Sequence, residues 1–426
     1  MMVSALGYPS VCLRELGYVL CYNRKFGNIL YNFMKLRILF ARVTPFGLAA
    51  AALLALISCG GGSSNSTTTK VPSGYSNRLY VLNSYYGTAV VMNGTNDQVY
   101  SLPITVGGGA NLMALSLDKT ITLVSSPTNN TISSIDNASE TVAETISIPA
   151  PTESFSILAD NATGIAAARN APVTNQSSGQ VLLLDITNSK VSGAISVPLV
   201  RFLSLNNART KVLAFAENSN SVYVIDTTAQ KATAVPGFDR PVAAVFASDD
   251  VHAYILNCGP ECGGTTASVT LFDTSSNTLG VNIPVSAATV GLIDSGKLYV
   301  AGTANNLGQL DVIDTASNTR TQTGIAISNG YHAFMALAAG NNLYIGAQNC
   351  TNQTTGCLSI FPTSGSTAIQ STTLGSVYGI QPVSGRNAVY VSIGGELVIF
   401  DTTTNKPQTN QFNVIGFAGD VLQINP

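Results

Sequence analysis

Val222-Tyr223-Val224-Ile225-Asp226-Thr227 is an alternating, β-branched run that ends on an Asp-Thr turn signal, and the chain repeats it. Leu271-Phe272-Asp273-Thr274, Val312-Ile313-Asp314-Thr315 and Ile399-Phe400-Asp401-Thr402 are close copies, and Leu183-Leu184-Asp185-Ile186 and Ser134-Ile135-Asp136-Asn137 are looser ones. Val91-Met92-Asn93-Gly94 and Ile360-Phe361-Pro362-Thr363 fill the same slot without the Asp. The slot falls at positions 93, 136, 185, 226, 273, 314, 362 and 401, so the unit recurs every 39 to 49 residues. That period, in a chain rich in Thr, Ser, Asn, Gly, Val and Ile, matches a four-stranded propeller blade.

Working outward from this run, each unit has the grammar of a blade. Arg78-Leu79-Tyr80-Val81-Leu82-Asn83 returns as Lys297-Leu298-Tyr299-Val300, Asn342-Leu343-Tyr344-Ile345 and Ala388-Val389-Tyr390-Val391, and reads as the second strand. The V-I-D-T run is the third strand, and a segment such as Lys190 to Val197 is the fourth. Small apolar runs, Val242-Ala243-Ala244-Val245-Phe246 and Phe334-Met335-Ala336-Leu337, suit a crowded innermost strand. The repeated Asp reads as a turn former, because its carboxylate can accept from backbone N–H groups two residues on. The first unit lacks an innermost strand before Arg78, and Asp420-Val421-Leu422-Gln423-Ile424 at the C-terminus can supply it and close the ring. The expected fold is therefore all-β: a single β-propeller over residues 76–426, with eight four-stranded blades closed by the C-terminal strand. Seven blades would follow if the Pro362 unit is irregular.

These runs resemble the YVTN family of β-propeller repeats, whose units read roughly L-Y-V-x-N followed by V-I-D-T. Residues 78–83 and 222–227 carry the likeness best. Where that family often has Pro-His at the start of the first strand, this chain keeps only His332, after Tyr331. The family includes lactonase-like enzymes and surface-layer proteins, so the resemblance implies a fold and not one activity.

The N-terminal part reads as an address rather than as structure. Lys35, Arg37 and Arg42 precede an apolar stretch from Val43 to Ser58, the pattern of a secretory signal. Leu56-Ile57-Ser58-Cys59 resembles a bacterial lipobox, which implies cleavage before Cys59, lipidation of its thiol and anchoring to the cell envelope. Gly60 in the next position resembles the outer-membrane sorting pattern, with the domain facing the periplasm or the exterior. The expected organisation is a leader over residues 1–33 from a start assigned too far upstream, a lipoprotein signal over 34–58, and the lipidated Cys with its flexible tether over 59–75, where Gly60 to Thr69 reads GGGSSNSTTT.

Residues 59–426 carry 14 basic and 21 acidic side chains, a net charge near −7, and no basic patch that suggests nucleic acid. An oxidising compartment favours two local disulfides, Cys258–Cys262 and Cys350–Cys357, over a zinc site built from the four thiolates. Aligning the innermost strands puts Asn111, Glu153, Arg201 and His332 at one position around the channel mouth, with Arg240 close by. Glu and Arg there suit a polar or carboxylated ligand, and Glu153 or His332 has the chemistry of a general base. No G-x-S-x-G elbow, P-loop or H-E-x-x-H motif occurs, no catalytic set is assigned, and no metal or cofactor is expected. The expected function is a monomeric binding or interaction scaffold on the envelope, with a membrane contact through the lipid and an envelope protein or the cell wall as partner. The alternative is a lactonase-like hydrolase with its site at the channel mouth.

Overall fold

The computed structural model describes residues 10–15, 18–23, 70–351, 355–408 and 416–425. The lipobox, the signal and residues 60–69 of the tether lie outside the described residues. Ser10–Glu15 and Tyr18–Asn23 pair as an antiparallel hairpin, in a unit separate from the rest of the chain.

From Lys70 onward the described residues form eight four-stranded antiparallel sheets; seven are built in sequence order from the inside out, and the first takes its innermost strand from the C-terminus. The innermost strands are Ala418–Asn425, Leu112–Leu115, Ser154–Ile157, Val200–Leu205, Pro241–Phe246, Val290–Asp294, Tyr331–Ala338 and Val377–Pro382, for blades 1 to 8. Each of them packs against the innermost strand of the next blade, and blade 8 returns to blade 1, so the ring is closed. The unit around Pro362 forms a full blade, with Pro362 ending its third strand, Leu358–Pro362. The fold is an eight-bladed β-propeller.

Strand alternation produces the core. Successive side chains on the second and third strands point to opposite faces of their blade. Each blade therefore feeds two interfaces, and eight apolar clusters fill the spaces between neighbouring blades among the described residues. The tyrosine of the L-Y-V run has a second task. Tyr254 of blade 5 donates its hydroxyl to Asn318 Oδ1 in blade 6 at 2.9 Å, and Tyr344 of blade 7 reaches Asn405 Oδ1 in blade 8 at 3.3 Å. Tyr390 of blade 8 reaches Asp97 in blade 1. In each case a phenol buried in one blade ties down the turn between the third and fourth strands of the next. Burial raises the pKa of all three phenols, so they remain donors.

Those same turns explain the regular placing of Asp within the repeat. The Asp226 carboxylate accepts from Thr228 and Ala229 N–H at 2.9 and 2.7 Å, and Asp401 accepts from Thr403 and Thr404 N–H at 2.8 and 2.9 Å. The residue that follows the turn is left-handed, with φ of 50° at Gln230, 57° at Asn277 and 56° at Asn405. Hydrogen bonds from neighbouring side chains and backbone hold the Asp185, Asp273, Asp314 and Asp401 carboxyls below the usual carboxylate range. The repeated Asp is a turn former.

Ring closure uses two devices. The C-terminal strand Ala418–Asn425 pairs with Arg78–Asn83, with Val421 opposite Val81 and Gln423 opposite Leu79. Beside it, Arg386 of blade 8 grips the Asp97 carboxylate of blade 1 at 2.5 and 3.1 Å. The chain enters the ring on the side of the turns just described. Ser73 N–H donates to Glu140 Oε2 at 2.8 Å, Arg78 Nη1 to Glu140 Oε1 at 3.0 Å, and Lys70 Nζ to the Glu140 carbonyl at 2.9 Å. Glu140 is fully buried and lies between the third and fourth strands of blade 2. Residues 70–78 are thus clamped at the face opposite the one where the innermost strands begin.

Candidate functional site

The innermost strands begin at one face, and that face is the channel mouth. In blades 4, 5, 7 and 8 the pairing of the first two strands is interrupted by a bulge, at Arg201, Val242, Ala333 and Tyr378. A bulged residue leaves the ladder and is re-aimed. In blades 2 and 3 the residue in the corresponding place, directly before the paired Leu112 and Ser154, is Asn111 and Glu153.

The position of His332 is corrected by this register. It pairs with Ala347 one step before the bulge, where blades 4, 5 and 8 have Val200, Pro241 and Val377. That slot points between blades, and the His332 ring is 1% exposed. Burial holds its pKa down at about 4, so it is a neutral core residue and not part of the mouth. The residue that replaces it at the mouth is Tyr331, which stands in the same register as Arg240 of blade 5. Asn111 is exposed and does not line the cleft described next.

Blades 4 and 5 frame a cleft of about 270 Å³ lined by Arg201, Phe202, Glu217, Arg240, Glu261 and Tyr331, among others. Arg201 Nε donates to Glu153 Oε2 at 2.8 Å, and its guanidinium lies over the Phe202 ring at 5.3 Å. Glu217 is paired with Arg169 of blade 3. Two of the three guanidinium groups at this rim are therefore neutralised. Arg240, half-buried, makes no ion pair among the described residues.

Glu261 is the feature that sequence reading missed. It sits on the short 3₁₀ turn Gly259–Cys262, in the loop after the second strand of blade 5. The Cys258–Cys262 disulfide closes that turn, and Glu261 Oε2 accepts the Thr303 N–H of blade 6 at 2.8 Å. At the loop's far end, Asp239 accepts from Thr265 and Thr266 N–H at 2.8 and 2.7 Å. The loop is thus held at both ends across the mouth. Burial raises the Glu261 carboxyl to about 7, against the lowering effect of the Thr303 N–H. The second bridge, Cys350–Cys357, closes the equivalent loop of blade 7. All four sulfurs are in disulfides, which excludes the zinc alternative for them.

Deeper in the ring, Asp420 of the clasp strand accepts the Met113 N–H of blade 2 at 2.9 Å, and its other oxygen accepts the Val421 N–H at 2.8 Å. Ser154 of blade 3 does the same for Leu203 N–H of blade 4, at 3.1 Å. Asp420 therefore does a linking job that a neutral hydroxyl does elsewhere, and burial raises its carboxyl to about 7.

Comparison with solved structures agrees with this architecture. The chain is similar to the dihydro-haem d1 dehydrogenase NirN in complex with DHE, with a TM-score of 0.66, 11% identity, 83% of this chain covered and 77% of that one. It is similar to a functionally unknown protein from Desulfotomaculum acetoxidans DSM 771, with a TM-score of 0.52, 14% identity, and 82% and 100% of the two chains covered. It is also similar to the β-propeller domain of Cps50 (Swd1) from Myceliophteria thermophila, with a TM-score of 0.50, 12% identity, and 69% and 97% covered. At these identities the likeness is one of fold alone. No protein-family model matches the chain, and no curated protein matches it.

Proposed function

We propose that this chain is a cell-envelope lipoprotein of the YVTN-repeat type whose propeller is a binding module, with its ligand site in the cleft of blades 4 and 5. The observation that carries the site is Arg240: a guanidinium with no ion pair among the described residues, in a cleft where Arg201 is already paired with Glu153. An unpaired guanidinium presents a planar fork of donors that fits a carboxylate bidentately. Phe202 and Tyr331 offer apolar surface beside it. The ligand is accordingly a small carboxylate with an apolar portion.

The lipobox at Cys59, the two disulfides and the tether support the address. The clamp at Glu140 holds residues 70–78 at the face opposite the mouth. Radiolabelled palmitate should enter the wild-type protein and not the Cys59→Ala variant. Equal labelling of the two would remove the anchor from this reading.

One observation favours hydrolysis as a second reading. Glu261 has the pKa of a usable general base at neutral pH and lines the same cleft. The two readings part in one experiment, in which a panel of carboxylates and lactones is screened by calorimetry and by turnover. Arg240→Ala should weaken carboxylate binding by about 1.5–3 kcal/mol, the worth of a charge-assisted hydrogen bond. Turnover of a lactone that Glu261→Gln abolishes would establish the hydrolase. Carboxylate affinity indifferent to Arg240→Ala would remove the cleft assignment.

A further inference from the structure

The cleft of blades 4 and 5 holds two unmatched ionisable groups of opposite sign. Arg240 and Glu261 both line the same space of about 270 Å³, yet among the described residues neither belongs to an ion pair. The other charged groups nearby are already matched. Arg201 pairs with Glu153, and Glu217 pairs with Arg169. Asp239, beside Arg240 in the chain, gives one carboxylate oxygen to the N–H groups of Thr265 and Thr266 and to the Thr265 hydroxyl. It feels the charge of Arg240 without pairing with it.

One frame holds the two groups apart. Arg240 stands at a left-handed corner, with φ of 57°. There its N–H donates to Asn220 Oδ1 of blade 4 at 3.3 Å, and its carbonyl accepts the Cys258 N–H at 3.0 Å. Cys258 is bridged to Cys262, and Glu261 lies on the turn between them. From that turn Glu261 Oε2 reaches the Thr303 N–H of blade 6, at 2.8 Å. Arg240 is thus tied to blade 4 and Glu261 to blade 6, with the disulfide-closed turn between them. The other oxygen of Glu261 has no partner among the described residues. The Tyr331 phenol lies near Arg201, Glu261 and Glu153, and burial raises its pKa, so it stays neutral.

Building on the cleft reading above, we infer that the ligand is dipolar: an amino acid or a short peptide with a free ammonium group, a free carboxylate and an apolar side chain. Arg240 takes the carboxylate and Glu261 takes the ammonium. A guanidinium fork fits a carboxylate through two bonds. An ammonium offers three donors and no acceptor, the complement of a carboxylate oxygen that lacks a donor. A ligand with a carboxylate alone leaves Glu261 unmatched, and one with an amine alone leaves Arg240 unmatched. A ligand with both satisfies the two groups at once, and Phe202 and Phe215 provide apolar wall for its side chain. Burial lets Glu261 keep its proton up to about pH 7, and an ammonium beside it draws that proton off. Binding near neutral pH should therefore release a proton.

Calorimetric titration of the full-length protein tests this, with L-phenylalanine, L-leucine, glycyl-L-phenylalanine and the N-acetyl forms of the two amino acids. At about pH 7.5 the free-amine ligands should bind about tenfold or more tighter than the acetylated ones, the loss expected for one charge-assisted contact. That preference should fade towards about pH 5.5, where Glu261 keeps its proton. Titrations in two buffers of different ionisation heat should register the proton released. Glu261→Gln keeps an acceptor for the Thr303 N–H, and it should bring the free-amine ligands down to the affinity of the acetylated ones. Arg240→Ala should weaken both classes. Tighter binding of the dipeptide than of phenylalanine would assign the site to peptides, and the reverse to free amino acids. Acetylated ligands that bind as tightly as free amines, or a preference that survives Glu261→Gln, would overturn the dipolar ligand and leave the cleft a carboxylate site. Absence of Arg240-dependent binding by every ligand would remove the cleft assignment itself, and the dipolar ligand with it.

Discussion

A chain ending at Gly416 should fail to form a stable propeller. It loses the strand Ala418–Asn425, and with it the buried side chains of Ala418, Val421 and Ile424, which serve the interfaces on both sides of blade 1. It also leaves Arg78–Asn83 as an open edge whose Leu79, Tyr80, Val81 and Leu82 are otherwise fully buried. Each large apolar side chain brought back to water costs about 1.5–3 kcal/mol. The sum, with a lost strand ladder, is comparable to the total of about 5–15 kcal/mol that holds a typical domain folded. Thermal unfolding followed by circular dichroism should show no cooperative transition, and size exclusion should show aggregates from the exposed edge. A truncated chain that melts cooperatively within a few degrees of the full one would show that closure through blade 1 is dispensable.

The second large effect is on pH dependence, through Asp420. Its folded pKa is about 7, raised by burial from an ordinary value of 3.8. Between those two values the native state holds a proton that the unfolded chain has lost. Stability from this group is therefore fully present below pH 3.8 and falls as pH rises through about 7. Glu261 acts in the same sense, from 4.5 to about 7. His332 acts oppositely: its folded pKa of about 4 lies below the ordinary 6.5, so its contribution is lost as pH falls through that window. A raw stability profile mixes all three, so the informative quantity is the difference between wild type and Asp420→Ser. Serine copies what Ser154 does between blades 3 and 4 and carries no charge. The variant should gain on the order of 2–4 kcal/mol relative to wild type at pH 8, since a tenfold change in proton affinity between the folded and unfolded chain is worth about 1.4 kcal/mol. The gain should vanish near pH 4. Denaturant titrations at several pH values measure it, and a pH-independent difference would overturn the assignment.

The architecture was legible because a propeller is a local fold. Each blade is written in one stretch of chain, so the L-Y-V and V-I-D-T runs reveal strands, turns and blade number together, and the missing first strand pointed to the C-terminal clasp. Even the Pro362 unit keeps its place, because a third strand can end on Pro once its last ladder bond is made. The two disulfides were legible for the same reason, since both partners lie in one loop. The mouth was less so. His332 was misplaced by one residue because a β-bulge shifts the register, and a bulge is a property of the pairing rather than of the residues in it. Glu261 escaped because its reach to Thr303 joins two blades. Its one signal was the lone acid inside Cys258-Gly259-Pro260-Glu261-Cys262, which a closed loop must present somewhere. The tyrosine hydroxyls that tie one blade to the next were hidden likewise, behind side chains that alternation alone explains as core.

The clamp on Glu140 also has a mechanical meaning. Force applied through the chain ahead of Lys70 first meets the bonds from Lys70, Ser73 and Arg78 to Glu140. Only after these give does the load reach the strand Arg78–Asn83, which is hydrogen-bonded along both flanks, to Ala418–Asn425 and to Thr88–Asn93. A pull along that strand's own axis shears two ladders at once instead of unzipping one. Tension along that strand would therefore be carried in shear by both ladders, with the contacts to Glu140 loaded before either of them.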